Sequence, residues 1–198
     1  MLTMASRTVD AEVVAMRALV VYESMYGNTK EIATAIADGL STRIPVQLTE
    51  VGAAPTVIAD DIALLVVGAP THGHGMSKDA SRKSAAERTS IDEPPVISRG
   101  VGLREWLENL EAAPAQVHVS AAVFDTRIKG PRLLWGSAAH AAEPHLRRAG
   151  QTLIAPPESF LIGGPRGPVY GALLEGEVER AREWGEELAN AIPTAIPA

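Results

Sequence analysis

Ala18-Leu19-Val20-Val21-Tyr22, followed after Glu23 by Ser24-Met25-Tyr26-Gly27-Asn28-Thr29, is the stretch whose reading decides the fold. The first part is an uninterrupted apolar run of the length and composition of a buried strand. The second is a short polar loop that opens a segment with Ile32, Ile36 and Leu40 at i+4 spacing, the buried stripe of a helix. A buried strand that turns sharply into a helix leaves backbone N–H groups unpaired at the turn, beside the positive end of the helix dipole. Together these make a site for a phosphate. Ser24, Asn28 and Thr29 bring hydroxyl and amide groups, and Gly27 lets the backbone come close to an anion. An ordinary helix start with an Asn or Thr cap would use the same residues, so the loop alone leaves both readings open.

The loop departs from the common nucleotide templates. A dinucleotide turn carries three glycines in a G-x-G-x-x-G pattern, and here Gly27 stands alone. A P-loop ends in Gly-Lys-Ser/Thr, whereas Lys30 follows Thr29 with no second glycine nearby. A loop suited to one terminal phosphate remains, which favours a mononucleotide over a dinucleotide.

Outward from this stretch, apolar runs alternate with helix-period segments. The runs are Ala18–Tyr22, Val46–Val51, Ala63–Gly68, Val117–Phe124 and Thr152–Ile154. Such alternation predicts βαβ units and a parallel sheet. Leu103, Trp106, Leu107 and Leu110 predict one helical stripe, and Val178, Ala181, Trp184 and Leu188 another. Trp106 and Trp184 therefore read as core residues, while Trp135 falls in a loop flanked by Gly and Pro. Two segments break the rhythm. Ser77–Gly100 is polar and long, with Lys78, Arg82, Lys83 and Arg88 ahead of Pro94-Pro95, and reads equally as a lid or as a solvated excursion. Ser137–Ala149 reads as a helix that Pro144 kinks or whose start it delays.

Strand, then Ser-x-Tyr-Gly-Asn-Thr, then helix resembles the phosphate loop of the flavodoxin family. Val66-Val67-Gly68-Ala69-Pro70-Thr71-His72 resembles that family's first flavin-flanking loop, and Ala121-Ala122-Val123-Phe124-Asp125-Thr126-Arg127 its second. The likeness runs from about Met16 to Ile192. It implies an α/β flavodoxin-like three-layer sandwich with a five-stranded parallel sheet in order 2-1-3-4-5. It also implies FMN as cofactor and electron transfer with a redox partner protein or flavodoxin reductase. Three positions depart from the family pattern: Tyr26 stands where threonine is usual, His72 where a tryptophan often stacks on the flavin, and no tyrosine follows Phe124.

In a doubly wound sheet, ligands sit beyond the carboxyl ends of the strands. The resemblance places Ser24, Met25, Tyr26, Gly27, Asn28 and Thr29 at the FMN phosphate. Pro70, Thr71, His72, Gly73 and His74 form the second group. Their glycines permit a peptide that rotates, and a flat imidazole at His72 or His74 can stack on a ring. Phe124, Asp125, Thr126 and Arg127 form the third. Phe124 reads first as the last core residue of its strand, with a ring-edge contact as the other reading. Asp125 and Thr126 could bond the polar edge of a heterocycle, and Arg127 could balance an anionic reduced flavin or pair with a surface carboxylate.

Composition narrows the alternatives. The chain has 198 residues, 46% hydrophobic and 21% charged, the profile of one globular domain. Residues 1–15 read as a flexible extension before a domain over 16–198, with Met16 a second candidate start. A net charge of −6 argues against nucleic-acid binding and is compatible with docking on basic patches of a redox partner. The absence of cysteine excludes disulfides, thiolate metal sites and thiol catalysis, and accords with a cytoplasmic protein. No apolar run reaches the ~20 residues of a membrane span. No His or carboxylate spacing suggests a metal. A hydrolase lacks its Gly-x-Ser-x-Gly elbow, since Ser137 and His140 lie one helical turn apart. Gly163–Pro168 reads as a rigid loop before the last helix. Two other functions stay in view. One is an FMN enzyme, a quinone reductase or a protoporphyrinogen-oxidase-like protein. The other is a cofactor-free interaction module on the same fold.

Overall fold

The computed structural model describes residues 15–88, 96–113, 117–164 and 171–193. The expected N-terminal extension and most of Gly163–Pro168 lie outside them. The elements run β1 (Arg17–Tyr22), α1 (Asn28–Leu40), β2 (Val46–Glu50), β3 (Ile62–Pro70), α2 (Asp79–Arg88) and α3 (Leu103–Ala112). They continue with β4 (Ser120–Ile128), α4 (Arg132–Trp135), α5 (Ala138–Arg148), β5 (Thr152–Leu153), β6 (Glu158–Ile162) and α6 (Glu177–Ala191). All strand pairs are parallel, in the order β2-β1-β3-β4-β5 expected from the sequence.

The edge strand differs from the expected single run. β5 pairs only with Ser120 and Ala121, and β6 resumes along the same edge of β4 opposite Phe124–Ile128. Pro156 and Pro157 lie between them, and a proline can donate nothing to the ladder. The apolar run ends at Ile154, and the second half begins with the polar Glu158-Ser159.

The apolar strands look continuous because both faces are covered. Leu19, Val21, Leu65, Val67, Ala121 and Val123 face a core shared with α3 and α5. Ala18, Val20, Leu64, Val66, Ala122 and Phe124 face α1 and α6. On that second side the backbones of α1 and α6 nearly touch. A methyl group at Gly39 would lie 2.1 Å from the Arg182 carbonyl oxygen, and one at Gly185 would lie 2.3 Å from that of Ile36. Phe124, Phe160 and Trp184 close the layer edge to face, with ring centroids 6.0–6.4 Å apart.

Trp106 and Trp184 are buried as expected, while Val178 is exposed, so the stripe of α6 begins at Ala181. α5 starts at Ala138 with no delay: the Ser137 hydroxyl caps it and the helix runs through Pro144. Among the described residues no helix is long and apolar enough to cross a membrane.

Candidate functional site at the carboxyl rim of the sheet

β1, β3 and β4 end on one rim, and their loops meet there. In the first loop Gly27 sits at the N-cap of α1 with φ 104°, and a side chain there would find open space. The first intrahelical bond runs from the Glu31 amide to the Gly27 carbonyl. The Ser24 hydroxyl accepts from the amides of Gly27 (3.2 Å) and Lys30 (3.3 Å). The amides of Asn28 and Thr29 are left with no acceptor among the described residues. Two free donors thus stand at the positive end of a 13-residue helix, beside an open left-handed glycine.

Most of the side chains of this loop point elsewhere. Ser24 and Thr29 are buried. Thr29 Oγ1 lies 2.7 Å from Thr126 Oγ1, which ties this loop to the end of β4. Asn28 Nδ2 donates to the Gly171 carbonyl at 2.6 Å. Met25 packs with Ala85 and Val96, and the hydroxyl of the exposed Tyr26 reaches the Ala85 carbonyl at 3.3 Å. The backbone therefore provides the donors that remain, where the sequence suggested hydroxyl and amide side chains.

The second loop leaves β3 at Pro70. The His72 amide donates to the Gly75 carbonyl at 2.8 Å, and the Gly75 amide returns the bond at 3.3 Å. Gly73 makes this tight turn possible with φ 63°. Burial and, next, the Arg82 charge push the His72 imidazole below its ordinary pKa, so it is neutral at physiological pH. His74 is exposed, and its backbone packs on Gly136 so closely that a methyl there would lie 2.3 Å away. The second and third loops thus lean on each other.

In the third group Phe124 belongs to the α1/α6 core. Asp125 is fully buried. Its Oδ2 accepts from Ser137 Oγ (2.5 Å), the Ala139 amide (3.0 Å) and Thr71 Oγ1 (3.2 Å), while Thr71 Oγ1 accepts the Ala138 amide at 2.9 Å. Asp125 and Thr71 therefore serve the start of α5. Arg127 donates to the carbonyls of Gly130 (2.9 Å) and Ile128 (3.3 Å). Ser137 does lie 3.1 Å from His140 Nδ1, but its hydroxyl donates to Asp125 and accepts the His140 amide, so it is a helix cap and not a nucleophile.

Sequence reasoning missed a second ring of residues. Ser77–Gly100 is neither a free lid nor a solvated excursion where it is described. The amides of Ile97 and Ser98 donate to the carbonyls of Met25 (3.1 Å) and Ser24 (2.8 Å), and the Ser24 amide donates back to Ser98 Oγ at 3.0 Å. Ser98 Oγ in turn donates to Glu50 Oε1 at 2.5 Å. From α2, the buried Arg82 donates to Ser77 Oγ (2.8 Å) and Glu105 Oε1 (3.0 Å). Glu23, fully buried, accepts the Leu103 amide at 2.7 Å. Burial pushes its carboxyl above the ordinary range, against the pull of the Leu103 amide, the Ser77 hydroxyl and the Arg82 charge. The signal for this ring was a charged residue at the end of an apolar strand and an arginine in a polar insertion. Only packing could join them.

Among the described residues, the buried side-chain atoms without a hydrogen-bond partner are Glu23 Oε1, Arg82 Nε, Asp125 Oδ1 and Arg127 Nε, and all four residues belong to this rim. Orphaned polar groups are costly to bury, so their gathering in one place marks a site at odds with pure stability. Of two surface cavities, one adjoins the first loop of this rim and the other lies away from it. The first, of about 310 Å³, lies beside α1 between Gly27 and Val178; the other, of about 340 Å³, lies at the opposite end of the sheet near Met16 and Ile192. Among the described residues no cluster of three metal-ligating side chains occurs.

The sheet order and the loops at its carboxyl rim define a flavodoxin-like doubly wound protein. The model of the flavodoxin domain matches residues 19–131, more than half of the chain, and the chain belongs to that family. No curated protein matches it. Among solved structures, a flavodoxin from the domain Archaea is 18% identical with a TM-score of 0.59, covering 90% of this chain and 100% of its own. Flavodoxin 1 of Bacillus cereus is 17% identical with a TM-score of 0.60, covering 88% and 97%. A diflavin flavoprotein from Nostoc is 17% identical with a TM-score of 0.53, covering 90% and 94%. At these identities the likeness is one of fold.

Proposed function

We propose that this chain binds FMN by its terminal phosphate at the start of α1 and serves as an electron carrier for a redox partner protein. The observation that carries this reading is the pair of free amides at Asn28 and Thr29 in front of open space. The orphaned polar atoms of Glu23, Arg82, Asp125 and Arg127 on the same rim support it. One phosphate suits two amides and a helix dipole, with no glycine-rich wrap for a pyrophosphate. When bound, FMN supplies the redox chemistry. The chain's own residues orient and tune it. Ser24 holds the loop in shape, Gly27 lets the phosphate approach, and Pro70–His74 and Arg127 flank the rim where a ring would lie. A neutral His72 can accept or donate a hydrogen bond without adding charge, while Arg127 contributes a cation.

Titration of stripped protein with FMN, FAD and riboflavin tests the reading. FMN should bind best, and riboflavin, which lacks the phosphate, at least tenfold more weakly, because charge-assisted hydrogen bonds are worth ~1.5–3 kcal/mol each. Equal affinity for FMN and riboflavin would place the phosphate elsewhere, and no binding of any flavin would favour the cofactor-free module.

The second reading, an FMN-dependent quinone reductase or a related oxidoreductase, draws support from the α2 segment. Its Ala85 carbonyl accepts the hydroxyl of Tyr26 from the phosphate loop and its Arg82 charge acts on His72, giving the rim a wall that a small substrate could use. Bleaching of the flavin by NADPH separates the two. A carrier should be reduced only after a flavodoxin reductase is added. Rapid anaerobic reduction by NADH or NADPH alone, with turnover on a quinone, would establish the enzyme.

A further inference from the structure

We propose that the knob formed by Lys129–Trp135 docks this protein on an anionic lipid surface. β3 ends at Pro70, opposite Thr126, but β4 continues along β6 to Ile128 and carries the chain beyond its β3 neighbour. Arg127 braces the base of the knob through the carbonyls of Ile128 and Gly130. At its top one helical turn holds Leu133, Leu134 and Trp135 at 93%, 64% and 37% exposure. Leu133 and Leu134 are the two most exposed large apolar side chains among the described residues. The indole of Trp135 folds back on Gly130, where a methyl group would meet Nε1 at 2.6 Å, so the knob is closed on itself.

Single exposed apolar residues need no explanation, but three in succession on a projection do. Their setting is also charged in one sense. Residues 126–142 contain Arg127, Lys129 and Arg132 and no carboxylate, in a chain whose net charge is −6. Lys129 and Arg132 are exposed, with Arg132 also touching His140. A second copy would bring like-charged knobs together. A protein partner would need a preformed acidic socket for side chains this exposed. A bilayer deforms around them: leucines enter the acyl boundary, tryptophan settles at headgroup level, and lysine and arginine meet the lipid phosphates. The knob rises from the rim that carries His72–Gly75, with Gly136 at its foot packed on His74, so docking would turn that rim toward the membrane. The inference needs no bound flavin.

The full chain is mixed with phosphatidylcholine vesicles with and without phosphatidylglycerol, and tryptophan emission and co-sedimentation are followed. Trp106 and Trp184 are buried, so Trp135 carries the response. Its emission should shift to the blue, and brominated lipid should quench it, only with the anionic vesicles. Leu133→Ser with Leu134→Ser should weaken binding about tenfold or more, since full burial of each leucine is worth ~1.5–3 kcal/mol. Lys129→Glu should weaken it roughly fivefold or more, the factor for about 1 kcal/mol per basic residue at an anionic surface. All three positions are exposed, and an unchanged urea midpoint shows that the variants fold. Absence of binding to anionic vesicles, equal binding to neutral ones, or binding indifferent to the double leucine variant would each overturn the proposal. A concentration-dependent dimer lost in that variant, without vesicle binding, would assign the knob to a second copy.

Discussion

The α1–α6 face and the carboxyl rim of the same sheet are built by opposite rules. On the first, two helices approach until glycine replaces side chains between them, and aromatic rings fill the layer edge to face. On the second, four buried polar atoms lack partners and two helix amides point at open space. Packing free energy is collected on the first, while the second carries a cost that a bound group could offset. The contrast teaches where to look for function in a fold otherwise uniform in its layers.

Gly185→Val should give the largest effect. A side chain there meets backbone, not a flexible tip, so the cost should reach or exceed about 3 kcal/mol, the top of the usual overpacking range. A urea midpoint within error of the parent would mean that the α1–α6 contact is looser than described. Arg82→Met should come next, at about 1.5–3 kcal/mol, the worth of hydrogen bonds made by a charged group. It breaks a buried ion pair with Glu105, whose carboxylate is only part-buried and so softens the loss. If this variant kept full stability, the second ring at the rim would be ornamental.

Ser24→Ala sharpens the comparison at about 1–3 kcal/mol. The amides of Gly27 and Lys30 lose their acceptor, and FMN affinity should fall with stability. Thr29→Ala should weaken FMN binding less, because its hydroxyl is engaged with Thr126. A larger loss for Thr29→Ala, read by FMN titration of both variants, would reverse this assignment.

Glu23 gives a pH signature. Its folded pKa lies above the ordinary value, so the native state holds a proton that the unfolded chain has already released. Stability should therefore fall as pH rises from the ordinary glutamate value, ~4.3, through the raised one. Glu23→Gln should flatten that fall, gaining relative to the parent as pH climbs, in urea midpoints taken between acid and neutral pH. An advantage that shrinks with rising pH would show the carboxylate to be favoured in the fold. The smallest effect belongs to Arg147→Ala. It removes an exposed i,i+4 pair with Glu143 and should shift stability by no more than about 0.5 kcal/mol.

Much of the fold was legible because apolar periodicity is local. β1 and β3 read as nearly continuous Val, Leu and Ala, β4 as a mostly apolar run, and α1, α3 and most of α6 showed their stripes. β6 was hidden by Pro156-Pro157 and by a polar start. At the site, the strand–loop–helix of Ser24–Thr29 was legible as a turn that leaves helix amides free, since orphan amides follow from backbone geometry alone. The directions of the side chains were not. Asp125 looked outward by its place at a strand end but caps α5, and Glu23, Ser77, Arg82 and Ser98 gave no signal of joining one another.

The order of short-range patterns along the chain by itself determined the doubly wound sheet, its flavodoxin family and the turn at the start of α1, because strand and helix periods and glycine punctuation act within a few residues. Tertiary structure alone decided which donors that turn keeps free, which polar groups go unpaired, and that Leu133, Leu134 and Trp135 stand on a projecting knob. Those outcomes depend on residues tens of positions apart meeting in one place. Burial, which raises Glu23, and exposure, which singles out Leu133, are properties of that meeting and not of any residue taken alone.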